Sequence, residues 1–126
     1  GGMELDAHDL SKIGYLFLRN GVWEGRQVVT ADWVKSSVSP AVPVDPGKVF
    51  YGYKWWLAPY VKGRPNLAWS GSGFGGQMPI ILPEEDLIIV VNAWNLADDK
   101  FLGQKEAIQR VLAALKKPAL TPGETE

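Results

Sequence analysis

The stretch from Trp69 to Val91 constrains this chain most. Trp69-Ser70-Gly71-Ser72-Gly73-Phe74-Gly75-Gly76-Gln77 runs into Met78-Pro79-Ile80-Ile81-Leu82, and Pro83-Glu84-Glu85-Asp86 then leads to Leu87-Ile88-Ile89-Val90-Val91. The pattern reads as a glycine-lined strand edge entering a β-hairpin. Glycine lets a substrate or another backbone approach the main chain closely. An edge lined with backbone amides is what acyl-transfer chemistry needs to receive a developing oxyanion. The continuous Ile/Val content of the two following strands predicts a sheet covered on both faces.

The flanking segments supply helices. Asp6 is placed as an N-cap, with Asp9 three residues on and Leu5 and Leu10 as a hydrophobic staple. Leu10, Ile13 and Phe17, with Leu16 and Leu18, form the apolar face of a first helix that ends at Asn20-Gly21. Trp23 to Val29 is a short connection. Thr30 caps a second helix with Trp33, Val34 and Val38 as buried candidates, stopped by Pro40. Residues 39–48, with Pro40, Pro43, Pro46 and Gly47, read as a loop. Tyr51 to Ala58 reads as one strand, and a second strand runs from about Leu67 into the glycines. A helix from about Lys100 to Lys117 buries Phe101, Ile108, Val111, Leu112 and Leu115. Lys116 and Lys117 suit its C-terminal dipole. The expectation is an α+β domain over residues 1–117, with an antiparallel sheet of about three to four strands between N-terminal and C-terminal helices, and a polar tail at 118–126.

Composition narrows the function. A formal net charge of -1 provides no basic field for nucleic acid or anionic lipid. No apolar run approaches the roughly 20 residues that span a bilayer. The absence of cysteine removes disulfide and thiolate chemistry. A chain beginning Gly1-Gly2-Met3-Glu4 shows no signal-peptide pattern, and suggests a start inside a longer protein or after an expression scar.

Gly71-x-Gly73-x-x-Gly76 matches a dinucleotide fingerprint by letter, but Pro79 and Pro83 bracket a β-run where the fingerprint needs a helix. A kinase glycine loop needs a lysine on the next strand, and none lies between Met78 and Asp99. His8 is the single histidine, and without cysteine it makes no zinc site. As the base of a triad it needs a nearby serine, for which Ser72 is the candidate, although Gly-x-Ser-x-Gly is not met. Glu84, Glu85 and Asp86 fall in a hairpin turn, where solvated acids are usual. Tyr51, Tyr53, Trp55 and Trp56 serve a cleft or a core; alternation along one strand puts Tyr51, Tyr53 and Trp55 on one face and Trp56 on the other. The reading assigns no metal and no cofactor.

Several segments together resemble the C-terminal part of the serine β-lactamase-like family, which includes class C β-lactamases, D-alanyl-D-alanine carboxypeptidases and related esterases and amide hydrolases. They are Gly1-Gly2-Met3 with Ala7-His8-Asp9-Leu10, Asn20-Gly21-Val22-Trp23-Glu24-Gly25-Arg26-Gln27-Val28-Val29, Ala31-Asp32-Trp33-Val34, Tyr51-Gly52-Tyr53-Lys54-Trp55-Trp56, Gly75-Gly76-Gln77 and Pro83-Glu84-Glu85-Asp86-Leu87. Their order and spacing over residues 1 to about 95, rather than any one of them, carry the match. The family's nucleophile lies in Ser-x-x-Lys and a further tyrosine in a Tyr-x-Asn-like motif. No serine here has lysine three residues on, and no tyrosine has asparagine two residues on.

The resemblance therefore implies roughly the last third of such an enzyme, inert alone, whose catalytic residues lie upstream. Its third motif, Lys-Thr-Gly or a His-x-Gly or Trp-x-Gly variant, fits Trp69-Ser70-Gly71, with the Ser72 N–H as an oxyanion donor. A register set by Gly75-Gly76-Gln77 moves it to Gly71-Ser72-Gly73. The implied wall is thus Trp69, Ser70, Gly71, Ser72 and Gly73, with Tyr53, Trp55 and Trp56 as cleft aromatics. The missing lysine points away from penicillin hydrolysis and toward an ester, amide or peptide substrate. The implied partners are the missing N-terminal part of the parent, that acyl substrate, and a second copy through surface the parent would bury. The resemblance also implies a periplasmic or secreted parent. The competing expectation is an independent module using exposed Trp55, Trp56 and Trp69 to bind carbohydrate or peptide.

Overall fold

A computed structural model describes residues 4–94 and 102–115. The first helix, α1 (Ala7–Leu18), starts where Asp6 accepts a hydrogen bond from the Asp9 amide at 2.7 Å. It ends where Asn20 and Gly21 take positive φ. A Cβ on Gly21 would sit 1.9 Å from the Val29 carbonyl oxygen, so this closure requires glycine. The connection 23–29 contains a small hairpin of β1 (Val22–Trp23) and β2 (Arg26–Gln27), turned by Glu24 and Gly25 at positive φ. Thr30 caps α2 (Ala31–Ser37) through the Trp33 amide.

The main sheet is antiparallel and has six strands in sequence order: β3 (Val42–Asp45), β4 (Val49–Tyr51), β5 (Trp56–Pro59), β6 (Leu67–Ser70), β7 (Met78–Leu82) and β8 (Leu87–Val91). The α+β class stands as expected, with a wider sheet. Two readings account for the extra width. The proline-rich stretch expected as loop carries β3, which pairs β4 with a register shift between Pro43 and Asp45. Proline is tolerated there because β3 is an edge. The segment expected as one strand over Tyr51–Ala58 is two. Gly52 donates to the Trp55 carbonyl at 2.9 Å and Lys54 takes φ 70°, turning the chain between β4 and β5. Tyr51 and Trp56 thereby become cross-strand partners on one face, with rings 4.8 Å apart, and Trp55 points to the other.

The hairpin β7–β8 follows the sequence closely, joined by a 3-10 turn at Pro83–Glu85 and left-handed Asp86. Both faces are covered, as the Ile/Val runs require. On one face Trp55, Leu57 and Ile81 pack with Phe17 and Leu18 of α1. On the other, Ala68, Ile80 and Leu82 pack with Ala107 and Ile108 of α3 (Gln104–Leu115). Gly14 lets α1 lie close to the sheet, where an added Cβ would meet Ile88 at 3.2 Å and Ile81 at 3.4 Å. Trp33, expected to be buried, is 53% exposed. Gly1-Gly2-Met3, Phe101, Lys116, Lys117 and the tail lie outside the described residues.

Candidate functional site

The glycine segment carries the arrangement with chemical consequence. Trp69 faces Ile81 and Ser70 faces Ile80 across β6–β7. The ladder continues as Gly71 N–H donates to the Pro79 carbonyl at 3.0 Å and Gly73 N–H to the Gln77 carbonyl at 2.8 Å. Backbone groups alternate sides along a strand. The amides of Gly71 and Gly73 point toward β7, so those of Ser72 and Phe74 point the opposite way, toward the β5 side. There β5 has ended. Its pairing runs from Pro59↔Leu67 to Trp56↔Ser70. Two more residues in that register would set Lys54 opposite Ser72, but the left-handed turn at Lys54 takes the chain away. Among the described residues the Ser72 and Phe74 amides have no backbone partner. Ser72, Gly73 and Phe74 are exposed. A Cβ on Gly71 would press on Pro79 at 2.9 Å, so this residue keeps the strand flat against its neighbour.

On the α1 face, beside Gly71, lies an apolar cavity of about 660 Å³. Leu10, Phe17, Trp33, Tyr53, Trp55 and Pro79 line much of it. Trp33 and Tyr53 meet at its rim in a tilted pair with ring centroids 5.5 Å apart. Ser37 seats the adjoining turn, its carbonyl accepting from the Tyr53 amide at 2.9 Å.

The expected site residues divide accordingly. Tyr53 and Trp55 reach the cavity, Tyr53 half exposed and Trp55 buried against Phe17 at 5.0 Å. Trp56 meets Tyr51 edge to face on the opposite face and does not join them. Trp69 is half-buried in the core of the α1 face. Trp55, Trp56 and Trp69 therefore present no common exposed platform of the kind an aromatic binding module needs. Ser70 is buried on the α3 face, and its hydroxyl donates to Gln104 Oε1 at 3.0 Å. His8 is exposed on α1, with Asp6 and Asp9 nearby. No hydrogen bond joins His8 to Ser72. Tyr60 donates to Glu85, and burial followed by that carboxylate pushes its phenol well above the ordinary tyrosine range. Tyr60 is thus a fixed donor rather than a base at neutral pH.

Two features of this region escaped the sequence. Trp33 sits on the helix face that periodicity assigns to the core, and only the position of Tyr53 draws it to the cavity rim. Phe74 and Trp94, 78% and 69% exposed, meet edge to face at 6.3 Å beside the glycine hairpin. Gly75 packs against Trp94, with its would-be Cβ 3.5 Å from the Trp94 ring. Phe74 follows Gly73 in an exposed hairpin, but nothing local signals its pairing with a residue beyond β8.

No family model matches the sequence. The chain is 31% identical over 104 residues to a 6-aminohexanoate-dimer hydrolase of Paenarthrobacter ureafaciens, an alignment covering 75% of this chain and 26% of that protein. A solved structure from Bacillus anthracis, provisionally named a 6-aminohexanoate-dimer hydrolase, superposes with a TM-score of 0.59 at 23% identity. That superposition covers 86% of this chain and 26% of the other, and is a likeness of fold. The chain thus spans about a quarter of the length of the relatives it matches.

Proposed function

We propose that this chain is the C-terminal portion of a serine β-lactamase-like hydrolase that cleaves an amide or ester bond, and that its glycine segment receives the oxyanion. One observation carries the reading. The β6 extension leaves β5 just where its Ser72 and Phe74 amides turn outward, so a carbonyl oxygen can approach them without displacing a protein partner. Preorganised backbone amides of this kind stabilise charge that develops only in the transition state. Both motif registers use the same edge. Trp69-Ser70-Gly71 makes Ser72 the donor, and Gly71-Ser72-Gly73 makes it Phe74.

The nucleophile belongs to the upstream part of the parent. Its serine oxygen attacks the substrate carbonyl, the C–O bond forms, and the negative charge moves to the oxygen held at the amide edge. Collapse expels the amine or alcohol with a proton, and water then hydrolyses the acyl-serine. The curated relative's name favours an amide of the 6-aminohexanoate-dimer class as substrate. The apolar cavity beside Gly71, with Trp33 and Tyr53 at its rim, is surface for the upstream part to cover. The 126-residue chain alone is inert.

The test is intact mass and nitrophenol release after incubation with an activated p-nitrophenyl ester and a serine-acylating probe. The expected result is no adduct and no release, with turnover appearing when the upstream part is added in trans. A single stoichiometric adduct on Ser70 or Ser72 would refute the reading. In the reconstituted enzyme, Ser72→Pro and Phe74→Pro each delete one outward amide. The true donor's variant should lower kcat by about 10²–10³.

A further inference from the structure

Phe74 and Trp94 belong to neither hydrophobic core of the sheet, and both are mostly exposed. Clustered apolar side chains at a surface, as distinct from single ones, mark contact sites. Their place follows from the hairpin that joins the glycine segment to β7. Gly73 and Gln77 close it as an antiparallel bridge. Gly75 and Gly76 turn it at φ 79° and 91°, backbone that residues with a side chain seldom take. The tip thereby lies against the residues that follow β8. A Cβ on Gly75 would stand 3.5 Å from the Ala93 carbonyl oxygen, and one on Gly76 would stand 3.3 Å from the Ala93 Cβ. The Trp94 ring rests on Gly75 and meets the Phe74 ring edge to face.

Covalent structure ties the Phe74 ring to the amide edge as well. Its own N–H is one of the outward donors, and the Ser72 N–H lies two residues back along the same edge. A carbonyl oxygen held at about 2.9 Å by the Phe74 amide brings the carbons beside that carbonyl within contact of the same residue's side chain. One held by the Ser72 amide sits about 7 Å back along the strand, roughly the reach of a six-carbon chain. An extended substituent that follows the edge toward the hairpin therefore meets the ring in both registers.

We propose that Phe74 is a specificity-determining residue of the hydrolase, and that Trp94 is the positioning residue that holds its ring. The pair selects substrates with an unbranched, uncharged hydrocarbon segment beside the scissile carbonyl. The inference rests on the amide edge receiving the oxyanion. A methylene segment suits the ring because it leaves water without losing a hydrogen bond. Among the described residues no lysine or arginine lies over either ring, so an anionic substituent there would be desolvated without a counter-charge.

Chain-length selectivity in the reconstituted enzyme tests this. p-Nitrophenyl acetate and hexanoate vary the acyl side, and S-methyl and S-hexyl thioacetate vary the leaving side. A methylene fully removed from water is worth about fourfold, so one ring face over part of a chain should favour the longer substrate of one series by about tenfold in kcat/KM. Phe74→Ala should cut that advantage by about fivefold or more. Trp94→Ala should cut it in the same direction, and Trp94→Phe should restore it. The ratio cancels any effect on the serine or the oxyanion donor, which both substrates share. Thermal melts of the 126-residue chain should not move with either alanine, because both side chains are exposed.

Turnover with an unchanged ratio in both series would overturn the proposal and leave the oxyanion edge standing. A Phe74-dependent preference for an acyl chain tipped with trimethylammonium would also overturn it, by making the pair a cation site. Equal loss on every substrate together with a lowered melt would do the same, by making the pair a structural contact. Absence of turnover from the reconstituted enzyme would remove both the edge and its specificity residue.

Discussion

Arg19 holds Asp86 through both carboxylate oxygens, Nη1 to Oδ1 at 2.6 Å and Nη2 to Oδ2 at 2.9 Å. The pair ties the C-cap of α1 to the left-handed residue that opens β8. Its guanidinium also lies over the Tyr15 ring, 5.1 Å from the centroid. Both side chains are exposed, so the bridge fixes the angle of α1 over the hairpin more than it stabilises the fold.

Acid should dissolve that link. The hydrogen bond from Arg19 holds the Asp86 carboxyl below its ordinary value of 3.8. A depressed folded pKa gives stability that is complete above the unfolded value and lost as pH falls through the folded one. Asp86→Asn keeps a residue that tolerates left-handed backbone and removes only the charge. Thermal melts of parent and variant should differ slightly at neutral pH and converge as pH falls from 3.8 through the lowered Asp86 value. A gap that persists unchanged in acid would exclude the ion pair as its cause.

Gly52 should not accept a side chain. A Cβ there would lie 2.1 Å from the Ser37 carbonyl oxygen, which is backbone and cannot swing aside. The same oxygen accepts from the Tyr53 amide, so a shift would also loosen the turn beneath Tyr53. Gly52→Ala should cost about 1–3 kcal/mol in urea denaturation, as overpacked sites do. An unchanged midpoint would mean that α2 is free to move off the turn.

Ser70 should matter to stability and not to acylation. Its hydroxyl is buried and spent on Gln104 of α3. Ser70→Ala should lower stability by about 1 kcal/mol, the net worth of one hydrogen bond. It should leave turnover of the reconstituted enzyme intact, whereas loss of acylation with unchanged folding would make Ser70 a reacting group.

Trp55 and Trp33 line the same cavity and should behave differently. Trp55 is 7% exposed and packed on Phe17. Trp55→Ala should cost about 3–5 kcal/mol, as for other buried aromatic truncations. Trp33 is 53% exposed on the rim, and Trp33→Ala should change chemical-denaturation stability by less than about 1 kcal/mol. Equal losses at both positions would show that the rim is as tightly packed as the floor.

Much of the fold was legible where the signal is local. Asp6 and Thr30 cap the helices they were read to cap, because a short oxygen-bearing side chain before an apolar period satisfies a free amide. Asn20-Gly21 ends α1 because the left-handed conformation excludes most other residues. The β7–β8 hairpin was readable from two Ile/Val runs around Pro83-Glu84-Glu85-Asp86. The strand character of the segment entering β7 was readable, whereas the role of Gly71, Gly73, Gly75 and Gly76 in it is an inference from their type.

Tertiary structure decided what depends on partners distant in sequence. β3 forms despite its prolines because β4 pairs with it, an edge pairing that local propensity disfavours. The turn at Gly52 to Trp55 exists because α2 receives it, and that turn sends Trp55 and Trp56 to opposite faces. It also carries Lys54 away from Ser72, the step that leaves the amide edge open. The fate of Ser70 rests on α3 arriving from 34 residues away. Caps and left-handed turns are set within one turn of backbone. Register, facing and vacancy are set by which strand or helix comes alongside, and only the folded chain fixes that.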